Sequence, residues 1–209
     1  MVGRADGTRA TGRPPLTERR RAETRMEIAE EAVRLFSERG VAATTAEDIA
    51  LAVGMSARTL WRYFRSKEEC VRPLLSLGVE TLFELLRDCP ADRPLAEVMT
   101  NMPYDDSGQR RLNTMRDLVR LCHHEPGLRA VWLETHYDAE ASFAALIAER
   151  TARSADDLEV RLEAGALNTA LRIAVEHWSL RPDDVPGPSF KETADHALRR
   201  LRTFTAYDR

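Results

Sequence analysis

Arg58, Thr59, Trp61, Arg62 and Tyr63 are the residues whose types and spacing speak most directly of chemistry. A guanidinium takes guanine O6 and N7 together, worth about 1–3 kcal/mol of discrimination against another base. Threonine and tyrosine hydroxyls donate and accept, and an indole packs on a thymine methyl or on the sugar–phosphate edge. Interleaved with them, Leu60 and Phe64 stand four apart and turn inward, so the polar and cationic set is left to point outward. A helix built this way presents a nucleic-acid-binding face and is anchored from behind.

The neighbouring residues position that face. Thr45 is an N-cap, and Asp48 three residues later completes an acidic variant of the capping box. Ile49, Ala50 and Val53 share one face of the helix that follows. Gly54 ends it where a left-handed residue is needed, and Ser56 caps the next helix. Two short helices around a glycine turn are a helix-turn-helix, whose second helix enters the major groove as a rod over 57–64.

The run from Gly54 through Met55, Ser56, Arg58, Thr59, Leu60, Trp61, Arg62, Tyr63, Phe64 and Lys67 to Glu69 resembles the signature of TetR-like (tetracycline-repressor-like) regulators. The resemblance extends upstream through Ile28, Ala29, Ala32, Leu35, Phe36 and Gly40, about the first third of the chain. Trp61 stands where that family more often has Tyr; an indole N–H still donates to phosphate but cannot accept. The resemblance implies that Thr45 holds a phosphate through its hydroxyl and backbone N–H, and that Ser56, Tyr63 and Lys67 do likewise. It also implies that Arg58, Thr59 and Arg62 face the groove. It further implies a homodimer on a double-stranded, palindromic DNA operator and a small-molecule effector bound in the C-terminal body.

Bulk properties agree. The 209 residues are 43% hydrophobic, 31% charged and 6% aromatic, with Ala, Leu, Arg and Glu recurring, which favours helix. The net charge of −3 conceals an asymmetry. Residues 1–67 carry 13 Lys/Arg against 9 Asp/Glu, and the remainder carries 18 against 25. A basic end on an acidic body suits a DNA reader and disfavours a non-specific architectural DNA protein. Cys70, Cys89 and Cys122 form no ligand spacing, and an odd number disfavours a disulfide framework. With no secretory leader and no membrane-length apolar run, a cytoplasmic protein without a membrane partner is expected.

The pattern is all-α: an N-terminal three-helix helix-turn-helix domain plus a C-terminal helical ligand-binding and dimerisation domain. Residues 1–17, with Arg4, Arg9 and Arg13 among glycines and prolines, read as a disordered arm. Residues 18–67 form the DNA-binding domain and 68–209 the effector-binding and dimerisation domain. The first helix opens at Thr17 and Glu18 and stops at Gly40. Ser66 caps a fourth helix reaching about residue 89, with Pro73 inside it as an expected kink. Helices are expected near 95–102, 109–123 and 126–150. The Ser154 and Asp157 capping box opens one to about residue 178, and Ser189 caps the last. The last two are the expected dimer helices, with Ala164, Ala166, Leu167, Ala170, Leu171 and Ala174 as a small-residue face for close approach; intramolecular core is the competing use of that face.

Met102, Met115, Leu118, Trp132, His136, Tyr137, Phe143 and Trp178 are candidates to line an apolar effector cavity with a few polar tips, suiting a fatty-acyl or aromatic compound. Each is also an ordinary core residue type. No metal site, cofactor or catalytic constellation is expected. Cys122, His123, His124, Glu125 and His136 lack metal-ligand spacing, since adjacent helical histidines diverge. The paired aspartates at 105–106, 156–157 and 183–184 suit loops and helix starts. Cys70, near a helix start, is a remote candidate for a lowered thiol pKa. The function that follows is a ligand-responsive regulator, most simply a repressor, with an activator of the same family as the alternative.

Overall fold

The computed structural model describes residues 16–88 and 106–204, and all regular structure among them is helical. Most of the expected arm, Cys89, the expected helix at 95–102 and Met102 lie outside the described residues.

Helix α1 (Leu16–Arg39) buries Ile28, Ala29, Ala32, Val33, Leu35 and Phe36 along one stripe. It stops at Gly40, whose φ of +81° is the left-handed conformation that ends helices cheaply only at glycine. Helix α2 (Ala46–Ala52) and α3 (Ala57–Leu60) follow. Next comes a 3-10 turn, Glu68–Val71, in which the Ser66 hydroxyl accepts the Glu69 N–H at 3.2 Å. Helix α4 (Arg72–Arg87) begins only then. Pro73 therefore does not kink a helix, as its sequence context suggested. It lies in the first turn of α4, where a missing N–H costs nothing and φ is pre-set.

The body consists of α5 (Asp106–His124), α6 (Pro126–Thr151), α7 (Leu158–Leu180) and α8 (Phe190–Phe204). The Ser154 and Asp157 pair does not box the start of α7. The Ser154 N–H donates to the Asp157 carboxylate at 3.2 Å within a turn, and the helix begins one residue past Asp157. At α8 the box is complete: Ser189 N–H donates to Glu192 at 2.7 Å, and Glu192 N–H donates to the Ser189 hydroxyl at 3.2 Å.

Two apolar clusters hold the molecule. The first joins α1, α2, Leu60, Phe64, Cys70, Val71 and the start of α4 to Leu118, Val119 and Cys122 of α5 and Leu128, Val131 and Trp132 of α6. The three-helix reader therefore shares its core with the body and is seated on it. The second cluster joins the far halves of α4 and α6 to α7 and α8. A polar seam closes the end of α7. Arg116 and Arg120 of α5 donate to the carbonyls of Ser179 and Arg181 and bind Asp183, satisfying groups that a helix end leaves unpaired. At the reader–body junction, Arg72 holds Glu69 at 2.8 Å and reaches Glu134 and Asp138 of α6.

Candidate nucleic-acid interface

Local sequence sets the geometry of the helix-turn-helix. The Thr45 hydroxyl accepts the Asp48 N–H at 3.1 Å, and Thr45 N–H donates back to the Asp48 carboxylate at 2.8 Å. The Thr45 hydroxyl also donates to that carboxylate, at 2.6 Å. These bonds hold the Asp48 carboxyl below its ordinary pKa, with the Thr45 hydroxyl the largest cause. Gly54 turns the chain at φ +69°. The Ser56 hydroxyl then accepts the Thr59 N–H at 3.2 Å and contacts the Thr59 hydroxyl at 3.0 Å. Leu60 and Phe64 are buried; Arg58, Trp61 and Arg62 are exposed; Thr59 and Tyr63 are half-buried. The face anticipated from the sequence is thus present, with its anchors behind it.

Three features depart from expectation. The recognition segment is not a rod over 57–64: α-helix ends at Leu60, and Arg62 and Tyr63 close tighter i→i+3 bonds to Thr59 and Leu60. Both Thr45 donors are occupied by Asp48, so a phosphate there would have to displace or share them. Lys67, expected on a phosphate, donates to the carbonyls of Val41 at 2.6 Å and Thr44 at 2.8 Å. An ammonium has three donors, so one remains.

Helix α1 also reaches this surface. Arg21 lies over the Tyr63 ring at 5.7 Å and Arg25 over the Phe64 ring at 5.1 Å. The visible signal was the run Arg19, Arg20, Arg21 near the start of α1. Among the described residues, Arg58 and Arg62 make no ion pair, whereas Arg34, Arg72, Arg116, Arg120, Arg153 and Arg172 each hold a carboxylate.

The effector candidates do not form one group. Leu118 and Trp132 belong to the first cluster and Phe143 and Trp178 to the second, while Met115 is half-buried beside the first. Met115 lies so close over Gly78 that a Cβ there would meet its methyl at 2.6 Å. Tyr137 is 73% exposed, so it lines no interior cavity. Trp178 packs on Phe190, and the Arg116 guanidinium lies over its ring, 5.2 Å from the centroid. His136 is the buried polar group of the set. Its Nδ1 meets Asn168 Oδ1 at 2.8 Å, and Asn168 Nδ2 donates to the His136 carbonyl at 2.8 Å. Burial lowers the His136 pKa, against the Asn168 bond. A carboxamide oxygen only accepts, so His136 carries its proton on Nδ1. The Trp132 ring stands edge-on to it, with centroids 5.7 Å apart.

Cys70 and Cys122 are buried, and burial pushes both thiols up to about 12, the opposite of a reactive thiolate. Among the described residues no cluster of His, Cys, Asp and Glu is placed to hold a metal. None of the described helices is long and apolar enough to cross a membrane.

A capped, glycine-turned helix pair with an unpaired cationic face, seated on an all-helical body, defines a helix-turn-helix DNA-binding regulator. Comparison with known proteins agrees. The model for bacterial regulatory proteins of the tetR family matches residues 28–74, and that for the MftR C-terminal domain matches 95–205. The HTH-type transcriptional regulator TcmR of Streptomyces glaucescens is 30% identical over 186 residues, 84% of this chain and 82% of its own length. The HTH-type transcriptional repressor KstR2 of Mycobacterium tuberculosis (strain ATCC 25618 / H37Rv) is 44% identical over 64 residues, 31% of this chain and 32% of its own. The solved structure of Salmonella enterica GusR, 20% identical, shares the fold with a TM-score of 0.51 over 86% of this chain and 95% of that one. The chain belongs to the TetR family of transcriptional regulators and is not an enzyme.

Proposed function

We propose that this regulator is a cytoplasmic repressor that binds a palindromic operator as a two-fold dimer and leaves it when a small apolar effector enters the body. The observation that carries the reading is the exposed, unpaired Arg58 and Arg62 on a rigidly capped helix-turn-helix. Arg58 is the base reader, and Ser56, Thr59, Trp61 and Tyr63 border the groove. Lys67 serves a phosphate with the one donor that the α1–α2 loop leaves it, and Thr45 does so only where the phosphate displaces or shares Asp48. Repression is supported by the name of KstR2, a transcriptional repressor 44% identical to this chain over 64 residues.

Dimerisation is supported by α7. Leu158, Leu162 and Ile173 are 66%, 62% and 51% exposed. With Gly165 and Thr169 between them they form one stripe at helical spacing, the kind of apolar face that partners cover. The face expected from the sequence was a different one: Ala164, Leu167, Leu171 and Ala174 are buried inside the chain. The effector reading rests on the Met115, Leu118, Trp132 and His136 neighbourhood, which adjoins α4, the helix joining reader to body. An effector that binds better when the two readers sit at the wrong spacing shifts the population off DNA.

The test is selection of bound fragments from a random DNA pool, followed by titration in increasing salt. A palindrome with half-sites about one helical turn apart, bound far tighter than random duplex, is expected. Equal affinity for selected and random DNA would refute it.

A further inference from the structure

Where α1 passes the recognition turn there is a cleft of about 370 Å³, lined by Thr17, Arg20, Arg21, Thr24, Arg62 and Tyr63. Thr17, Arg20, Arg21 and Thr24 follow the i, i+3, i+4, i+7 spacing and share one helix face. Arg21 is steered into place by the Tyr63 ring. The lining holds three guanidinium groups and three hydroxyls and no carboxylate. Pockets for apolar effectors are lined mostly by hydrophobic and aromatic groups, so this one is of another kind. Among the described residues Arg20, Arg21 and Arg62 make no ion pair, whereas Arg34, Arg72, Arg116, Arg120, Arg153 and Arg172 each hold a carboxylate. Three converging cations repel one another, and an anion among them removes that repulsion. The guanidinium fork matches phosphate oxygens in pairs.

Location identifies the anion. A four-residue helix is about 6 Å long, and the major groove it enters is about 12 Å wide. Arg62 and Tyr63 leave the end of that helix towards α1, so the cleft lies at the edge of the groove, where a sugar–phosphate strand runs. The geometry points to a seat for one DNA-backbone phosphodiester per half-site, with Arg20 and Arg21 as its charge donors and Arg62 as a phosphate anchor instead of a base reader. This assignment rests on the DNA-binding reading above and adds α1 to the interface.

The experiment uses the full chain, the selected duplex and a random duplex, with Arg20→Gln, Arg62→Ala and the Arg20→Gln/Arg21→Gln pair. The double variant should lose affinity for both duplexes by the same factor. For the dimer its slope of log K against log salt should be shallower by about 1.8, the release expected for one phosphate in each of two half-sites. Arg62→Ala should likewise weaken all sequences alike. Backbone phosphates are then replaced singly by neutral methylphosphonates. One position per half-site should weaken the wild type and leave the double variant unchanged, the signature of a direct pair. Arg20→Gln, at an exposed residue, should show part of the same effect with an unchanged melting temperature, which covers the case in which the double variant misfolds. A wild-type slope in the variants, or methylphosphonate losses that are the same in variant and wild type, overturns the seat while leaving DNA binding intact. Inorganic phosphate that raises the wild-type melting temperature, lost in the variants without any change in DNA slope, would mark a free-anion site and overturn it too. A wild-type protein with no salt-sensitive DNA binding removes both readings.

Discussion

Lys67 is committed to the fold before any DNA arrives. Its ammonium ties down the carbonyls of Val41 and Thr44, in the loop that delivers the chain to α2. Lys67→Ala leaves those acceptors without their partner, at a cost of about 1–3 kcal/mol. In a chain of this size that lowers the melting temperature of the DNA-free protein by about 2–4 °C per kcal/mol. An unchanged melting curve would assign Lys67 wholly to DNA. Arg58 is a contrasting case, since no bond within the described structure restrains it. Arg58→Ala should leave the melting temperature alone and relax preference at one base position by about 1–3 kcal/mol. The check is a comparison of fragments selected by variant and wild type; identical preferences would exclude Arg58 as a reader.

At the scale of elements, the pairing of α6 with α7 through His136 and Asn168 makes stability depend on pH. Burial holds the His136 pKa below its ordinary value of 6.5. Folded protein therefore keeps the imidazole neutral at a pH where the unfolded chain takes up a proton. Stability from this group is complete above about pH 6.5, the ordinary histidine value, and is lost as pH falls from there towards the lowered folded pKa. His136→Gln should flatten the fall in melting temperature over that acid window. A wild-type slope in the variant would place the titration elsewhere. The short α3 belongs to the same scale. Its type was legible because a glycine, a cap and an inward pair are local signals. Its early end at Leu60 was not, since the choice between α and tighter turns over 61–64 depends on how Phe64 seats in the core of α1.

For the molecule as a whole, the proposed dimer face is the open stripe of α7. Leu162→Asp replaces a 62% exposed leucine, so the single chain should fold normally. A charge at the centre of a two-fold apolar contact meets its own copy, and association should fail. Sedimentation should show a monomer, and affinity for a palindrome should fall towards that of one half-site. A dimer that persists in Leu162→Asp would exclude this face. The Arg72 links to Glu134 and Asp138 connect the reader to α6 at the same scale, and under the effector reading proposed above a change in the body would reach the reader through them.

The sequence by itself determined the helical class, the caps at Thr45, Ser56 and Ser189, the glycine stops and the inward Leu60 and Phe64. These depend on residues within four positions of one another, and local backbone chemistry decides them. Only the tertiary structure decided which small-residue face of α7 is core and which is open, because an alanine-rich helix offers several equivalent faces until α6 and α8 cover some of them. The fold likewise separated Tyr137 from the buried effector candidates, committed Lys67 to a loop and brought Arg20 and Arg21 beside Arg62. Those neighbours lie 23 to 42 residues apart in the chain, and no spacing rule reaches across that distance.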